Sequence, residues 1–233
     1  MEIHAQRVGV TGPHGPMLRP TTLRIAPGEL VLVAGDPGTG HTALALLLSG
    51  RMRPTTGSVL LDGHENAAEL RKRVALVDAS EVNEPEAALT LSTVVGEELA
   101  MVGQRSGRKA IADWLTERGA DEHANTRFEF VPPDVRCALL LELAAGRPGV
   151  EALVVDCPDR YHGTPEAWWA LAHKHVTPER SVVALCTTAS ARLLDVPAAR
   201  LGLDNSTPED NRPEDNRPED GQAEDGQVRE TTA

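Results

Sequence analysis

The sequence predicts an α/β protein with a mostly parallel sheet, because short apolar runs alternate with helical patterns over residues 1–203. Strand-like runs lie at residues 22–25, 30–34, 58–61, 74–77, 152–156, 182–186 and 200–203. Helical patterns lie between several of these runs, at residues 41–49, 92–101, 108–118, 134–145, 165–173 and 189–194. The first two strands are separated only by a short turn at residues 27–29, which predicts an antiparallel addition at the N-terminus.

The C-terminal residues differ in composition from the rest of the chain. A five-residue unit repeats there as PEDNR, PEDNR, PEDGQ and AEDGQ, and it offers no large apolar side chain to a core. Because nothing offsets the entropy of ordering such a segment, residues 204–233 are predicted to form a disordered acidic tail. The tail holds −7 of the formal net charge of −12, so residues 1–203 are only mildly acidic. A basic surface for nucleic acid is therefore not expected.

The apolar residues and the cysteines argue against a membrane-spanning or secreted protein and against a disulfide-stabilised one. No uninterrupted apolar run approaches the ~20 residues of a membrane-spanning helix, and the N-terminal MEIHAQRV lacks the features of a secretory signal. Cys137, Cys157 and Cys186 are widely spaced and odd in number, which argues against a disulfide framework. We therefore expect a cytoplasmic chain without a membrane span of its own. A separate partner would supply any spanning helices.

The most informative segment runs from an apolar strand through a glycine-rich loop into a helix, at residues 30–50. The loop reads GDPGTGHT and follows the phosphate-binding pattern G-x-x-x-x-G-K-[ST], with a histidine at the lysine position. Its glycines let successive N–H groups point at phosphate oxygens, and the helix N-terminus favours the same negative charge. The residues predicted to bind phosphate are Gly35, Pro37, Gly38, Thr39, Gly40, His41, Thr42 and Ala43. An ordinary glycine-rich turn is the alternative interpretation.

Two further segments resemble a known family. LLSGRMRPTTGSVLLDG, at residues 47–63, resembles the stretch that follows the phosphate loop in the ATP-binding cassettes of ABC transporters. AAGRPGVEALVVDCP, at residues 144–158, resembles the Walker B region of that family. The resemblance implies a P-loop NTPase cassette fold over residues 1–203, with an N-terminal antiparallel β subdomain and a helical subdomain inserted at about residues 80–145. It also implies ATP and Mg²⁺ as ligands, with Thr42 and Asp156 as the metal-binding residues.

Several positions depart from the pattern of this family. Cys157 stands where the family has a glutamate that polarises the attacking water, Thr188 where it has a histidine that contacts the γ-phosphate, and Ala79 where it has a glutamine. FVPPD, at residues 130–134, stands in place of the signature LSGGQ, and its prolines lack the N–H groups of the signature glycines. Within it, Asp134 is expected to cap the following helix. At the lysine position, a histidine of ordinary pKa about 6.5 carries no permanent charge.

These substitutions together favour a degenerate cassette subunit, a pseudo-ATPase that binds nucleotide weakly and hydrolyses little or no ATP. The resemblance implies a membrane permease subunit as partner and a location at the inner face of the cell membrane. A second cassette subunit is a further candidate partner, because cassettes of this family pair head to tail. Two alternatives stay open: a working ATPase with substituted residues, and a non-transport scaffold or regulatory protein that uses the fold to bind a partner.

Overall fold

The computed structural model describes residues 1–161 and 163–206, which form two β-sheets with helices packed around them. In chain order the strands are β1 (Ile3–Gly12), β2 (Gly15–Ile25), β3 (Leu30–Gly35), β4 (Thr56–Leu61), β5 (Val74–Val77), β6 (Ala152–Asp156), β7 (Ser181–Thr187) and β8 (Ala199–Arg200). The helices are α1 (His41–Leu48), α2 (Ala67–Arg73), α3 (Leu91–Met101), α4 (Arg108–Thr116), α5 (Pro133–Ala145), α6 (Pro165–Lys174) and α7 (Thr188–Leu194). Short 3-10 turns lie at Asp121–His123, Phe128–Phe130 and Pro158–Arg160.

The larger sheet is parallel, with strand order β5-β6-β7-β3-β8. Every residue of β5 and β6 is buried, as expected for strands of a parallel sheet that is covered on both faces. The predicted mostly parallel sheet is therefore confirmed. Its register pairs Gly35 with Thr187 and Asp156 with Leu185, so the carboxyl ends of β3, β6 and β7 lie side by side. Ligand sites of open α/β sheets lie at this edge.

Alternate residues of the central strands pack against different helices. Val154 belongs to the same apolar cluster as Leu44 and Leu48 of α1. Its neighbour Val155 belongs to a second cluster with Leu141 of α5. This alternation follows from the two-residue period of side chains along a strand. It fixes α1 on one face of the parallel sheet and α5 on the other.

The smaller sheet is antiparallel, with strand order β2-β1-β4, and confirms the predicted N-terminal antiparallel element. The pairing expected across the turn at residues 27–29 is wrong, because β2 lies in the small sheet and β3 in the parallel sheet. Both edges of β3 are already occupied, by β7 and β8, so no edge is open to β2. The hairpin partner of β2 is β1, which pairs Gly12 with Gly15 across the tip.

The sequence patterns missed two elements, β1 and α2. The pairing of β1 with β2 shifts register at several points, so the two-residue alternation that marks a strand is broken along its length. Helix α2 has a single buried residue, Leu70, and therefore shows almost no apolar period. A signal for it was present in Asn66, whose side chain accepts a hydrogen bond of 3.1 Å from the N–H of Glu69.

Ordered contacts extend beyond residue 203. The amide of Asn205 accepts a hydrogen bond from the N–H of Arg200 and donates to the carbonyl oxygen of Thr22, both at 2.8 Å. Asp204 also forms a parallel bridge with Thr22 in β2. These residues therefore join β8 to the small sheet. The remainder of the predicted tail, residues 207–233, lies outside the described residues.

We expect Asn205→Ala to lower the free energy of unfolding by about 1–3 kcal/mol, because it leaves partly buried backbone groups without partners. In a domain of this size the melting temperature would fall by several degrees. Thermal unfolding followed by circular dichroism measures the effect. Ser206→Ala is the matched control, because within the described residues the Ser206 hydroxyl donates only to Asp204, two positions before it.

Truncation of the chain is a second test of the contacts that Asn205 makes with Arg200 and Thr22. A chain that ends at Ser206 should keep the full-length melting temperature, whereas a chain that ends at Leu203 should melt as early as Asn205→Ala. Equal melting temperatures for the two truncated chains would contradict the role of Asn205.

Candidate nucleotide-binding site

The loop between β3 and α1 has the backbone of a phosphate cradle. Gly38 has φ of 81° and Gly40, which precedes α1, has φ of 108°, a left-handed region that favours glycine. A Cβ atom at Gly40 would also collide with the carbonyl oxygen of Met17 on β2. The loop is closed by a hydrogen bond of 3.1 Å from the Thr39 N–H to the Asp36 carbonyl oxygen. The first turn of α1 then presents N–H groups without intrahelical partners, as a helix N-terminus does.

Thr42 and Asp156 meet at the base of this cradle. The hydroxyl of Thr42 donates a hydrogen bond of 2.6 Å to Oδ2 of Asp156. Asp156 is 1% exposed, and its other oxygen, Oδ1, is buried with no hydrogen-bond partner in the part of the chain that the structure describes. A hydroxyl beside a carboxylate with one free oxygen fits Mg²⁺, a hard cation that takes one or two carboxylate ligands and retains several waters. The two residues that the sequence predicts as metal ligands therefore lie within hydrogen-bond distance of each other.

His41, at the lysine position of the loop, is buried and bonded to the sheet. Its side chain is 7% exposed, and Nε2 lies 2.8 Å from the carbonyl oxygen of Cys186 on β7. Because a carbonyl oxygen only accepts, Nε2 carries the proton and donates it. One ring nitrogen thus ties α1 to β7, and only Nδ1 is left for a ligand.

A cleft of about 790 Å³ opens above the cradle. It is bounded by the tip of the β1–β2 hairpin, the phosphate loop and the end of β6, with Thr42, Asp156, Cys157, Asp159 and Arg160 among its lining residues. The sequence reasoning missed Asp159 and Arg160. Both lie in the 3-10 turn that follows β6, where no familiar motif marks them.

Asp159 organises the end of β7. Its Oδ2 accepts hydrogen bonds from the hydroxyls of Thr187 at 2.7 Å and Ser190 at 2.6 Å, and from the Thr187 N–H at 2.9 Å. Thr187 also caps α7, since its hydroxyl accepts from the N–H of Ser190. The 3-10 turn is therefore fixed to the start of α7 on the floor of the cleft.

Arg160 forms an ion pair with Asp78, which follows β5. A guanidinium nitrogen of Arg160 lies 2.9 Å from Asp78 Oδ1 and donates to the Tyr161 hydroxyl at 2.9 Å. Burial of the carboxyl raises the pKa of Asp78 to about 6, against the opposing attraction of Arg160 and Arg136. Glu84 and Asp156 raise that pKa further.

Comparison with known proteins identifies the family. The family model described as "ABC transporter" matches residues 18–131. The chain is 31% identical over 117 residues to the glycine betaine/proline betaine transport system ATP-binding protein ProV of Escherichia coli (strain K12). This match covers 47% of this chain and 29% of that protein. This chain carries an ABC-type ATP-binding cassette.

Two further matches extend over more of the cassette. The biotin transport ATP-binding protein BioM of Rhizobium etli is 27% identical over 165 residues, which are 68% of this chain and 71% of that protein. A solved structure of a putative ABC transporter ATP-binding protein from Pyrococcus furiosus covers 80% of this chain and 92% of its own, with a TM-score of 0.60 and 17% identity. At that identity the structural likeness establishes the fold alone. By contrast, the cassette spans less than a third of the length of the glycine betaine relative.

Cys157 follows the last residue of β6 in the cassette. Its backbone is left-handed, with φ of 49°, and its N–H donates to the carbonyl oxygen of Leu185 at 3.0 Å. Burial raises the pKa of the Cys157 thiol, and the neighbouring carboxylates of Asp156 and Asp159 raise it further. The thiol is therefore protonated near neutral pH and cannot accept a proton from water.

Thr188 begins α7 beside the phosphate loop. Its hydroxyl donates a hydrogen bond of 2.8 Å to Oδ1 of Asp36 in the loop. Ala79 follows Asp78 in the chain, two residues after the end of β5, and is fully buried. The three positions singled out from sequence thus differ: Cys157 lines the cleft, Thr188 contacts the loop, and Ala79 belongs to the core.

Residues 130–134 lead into α5. Phe130 is 68% exposed, whereas Val131 is buried. The expectation that Asp134 caps α5 is wrong, because the helix begins at Pro133 and the cap position is Pro132, which has no side-chain hydrogen bond. The fixed backbone of Pro133 suits the first helical position, and Asp134 falls in the first turn, where its charge favours the helix dipole.

Among the described residues, no helix is both long enough and apolar enough to span a membrane.

The carboxyl of Asp78 should titrate with a midpoint near pH 6, against an ordinary value of 3.8. Because this pKa is raised in the folded state, Asp78 favours folding at low pH, and the contribution is lost as pH rises from about 4 to about 6. A carbon-13 NMR titration of the carboxyl measures the midpoint. Arg160→Gln should move it higher, because the attraction of the guanidinium is removed. A midpoint near 4 in the unaltered protein would contradict the burial described above.

Proposed function

We propose that this cassette is the ATP-binding subunit of an ABC-type transporter that binds Mg-nucleotide weakly and hydrolyses little or no ATP. The observation that carries the proposal is that the residue after β6, Cys157, has a protonated thiol rather than a carboxylate. Hydrolysis requires a base that takes a proton from the attacking water, and Cys157 is a thiol whose pKa is raised by burial and by two carboxylates.

The loop supports nucleotide binding. The N–H groups of the cradle and the start of α1 would hold the phosphates, while Thr42 and Asp156 would hold Mg²⁺. When bound, Mg²⁺ would neutralise charge on the phosphate oxygens. The weakness follows from His41, because a histidine bonded to Cys186 replaces a long, permanently charged side chain.

One further contact and one sequence feature support a low rate of hydrolysis. Thr188 is engaged with Asp36, and a neutral hydroxyl offers less to a developing charge on the γ-phosphate than an imidazolium would. Residues 130–134 hold no glycine, so they lack the open N–H groups that a partner cassette's phosphates would need. Groups that act as a unit lose most of their effect when several are missing.

The partner is proposed from the relatives. The glycine betaine and biotin proteins are named as ATP-binding proteins of transport systems. We therefore propose a membrane permease as the partner of this cassette, at the inner face of the membrane, with a second cassette subunit as a further partner.

His41→Lys should raise the affinity for Mg-ATP roughly tenfold or more, because it adds a charge-assisted contact worth about 1.5–3 kcal/mol. Calorimetric titration measures the change. His41→Gln is the matched control, since it keeps a donor for the Cys186 carbonyl without adding charge. Equal affinities for His41→Lys and His41→Gln would show that position 41 does not contact phosphate.

Phosphate release by the purified protein should equal the background rate, and Cys157→Glu alone should not restore it. A variant that combines Cys157→Glu with His41→Lys and Thr188→His should exceed each single change, because these groups act together. A continuous phosphate assay measures the unaltered protein, the three single variants and the triple variant. Turnover by the unaltered protein that Asp156→Ala abolishes would overturn the proposal of a pseudo-ATPase.

Affinity capture of the tagged protein from its native cells tests the partner. We expect a protein with several membrane-spanning helices to be recovered in stoichiometric amount. Recovery of soluble proteins alone would favour a scaffold or regulatory role over transport.

A further inference from the structure

The charge of the cleft presents a problem for a nucleotide. Among the described residues that line it, Arg160 is the only lysine or arginine, while Asp156 and Asp159 are both acidic. The phosphate chain of ATP carries several negative charges, and the loop backbone alone contributes only partial positive charge. Arg160 is therefore the candidate for a permanent cation that contacts the phosphate chain.

Arg160 is positioned at the same strand end as the metal-binding pair. Its Nη1 donates a hydrogen bond of 2.8 Å to the carbonyl oxygen of Asp156. The carboxylate of that residue accepts from Thr42, the second residue of α1. Two hydrogen bonds thus separate the guanidinium from the first turn of the phosphate-loop helix.

The guanidinium also has donor capacity to spare. Its Nε is buried and has no hydrogen-bond partner among the described residues, and the side chain as a whole is 20% exposed. A guanidinium presents five N–H donors in a planar fork, which suits two oxygens of a phosphate. Of the described side chains that line the cleft, no other offers this combination.

Asp78 is the group that competes for Arg160. It lies 2.9 Å from the guanidinium, and Glu84 lies farther away at 3.5 Å. A second cation, Arg136, stacks on the Tyr161 ring at 3.6 Å and attracts the Asp78 carboxylate. Because Arg136 also attracts the Asp78 carboxylate, Arg160 can turn towards a phosphate while a positive charge still acts on Asp78.

We propose that Arg160 is the phosphate-binding cation of this cleft, in place of a lysine in the loop, and that Asp78 restrains it until a polyphosphate competes for the guanidinium. The proposal rests on the proposed function in one respect, that the cleft takes a nucleotide. It assigns Arg160 to binding and Asp78 to the positioning of Arg160.

The test uses the full chain and two probes, Mg-ATP and inorganic tripolyphosphate with Mg²⁺, the second of which isolates the phosphate contacts. Arg160→Gln should weaken binding of both probes roughly tenfold or more, and Arg160→Lys should weaken it less. Asp78→Asn should strengthen binding several-fold, because it removes the competing charge. In the double variant Arg160→Gln/Asp78→Asn that gain should disappear.

Arg147→Gln is the matched control, because Arg147 is similarly half-buried and paired with Glu98 at 2.6 Å, but does not line the cleft. If Arg160→Gln fails to fold, the opposite shifts of Arg160→Lys and Asp78→Asn decide. Equal affinities of Arg160→Gln and Arg147→Gln, or weaker binding by Asp78→Asn, would overturn the proposal. So would the absence of tripolyphosphate binding by both the unaltered protein and Asp78→Asn.

These outcomes are separate from those for the proposed function. Rapid phosphate release from Mg-ATP would overturn the proposed pseudo-ATPase, yet the order of tripolyphosphate affinities would still report on Arg160. Conversely, an unaltered affinity in Arg160→Gln with no phosphate release would overturn the assignment of Arg160 and leave the proposed function in place.

Discussion

The hydrogen bond from Thr42 to Asp156 is the contact on which the cleft depends. It joins the first turn of α1 to the end of β6, two elements separated by more than a hundred residues in the chain. The parallel sheet makes this contact possible, because it sets the carboxyl ends of β3, β6 and β7 side by side. Gly40 is required for the same reason, since a side chain there would collide with β2 and displace the start of α1. The candidate site for a metal and a phosphate chain lies where these ends converge.

The charged and titratable groups around this contact are the basis for the proposal that the cassette binds nucleotide without hydrolysing it. Asp156 keeps one buried oxygen free, whereas the next residue, Cys157, holds its proton tightly. His41 donates a hydrogen bond to the Cys186 carbonyl oxygen, and Arg160 lines the cleft in an ion pair with Asp78. Under the proposed function, Thr42 and Asp156 would hold Mg-nucleotide, whereas Cys157 would not activate water.

The sequence predicted the parts of the fold that depend on local pattern. Strand β6 has a strong signal because a strand that is buried on both faces needs apolar residues throughout. The loop before α1 has a strong signal because its left-handed backbone favours glycine. The pairing of β2 could not be predicted in this way, since it depends on which strands already occupy the edges of β3. Arg160 and Asp78 were missed for a related reason: they come from different strand ends, and only the folded sheet brings them within 2.9 Å.

Phosphorus-31 NMR of Mg-ATP mixed with an excess of the protein tests the central claim most directly, because one spectrum reports both binding and hydrolysis. The account predicts that the β- and γ-phosphate signals shift or broaden on addition of protein, while no signal of inorganic phosphate grows over several hours. Growth of that signal at a rate that Asp156→Ala abolishes, or ATP signals that stay unchanged at any protein concentration, would contradict it.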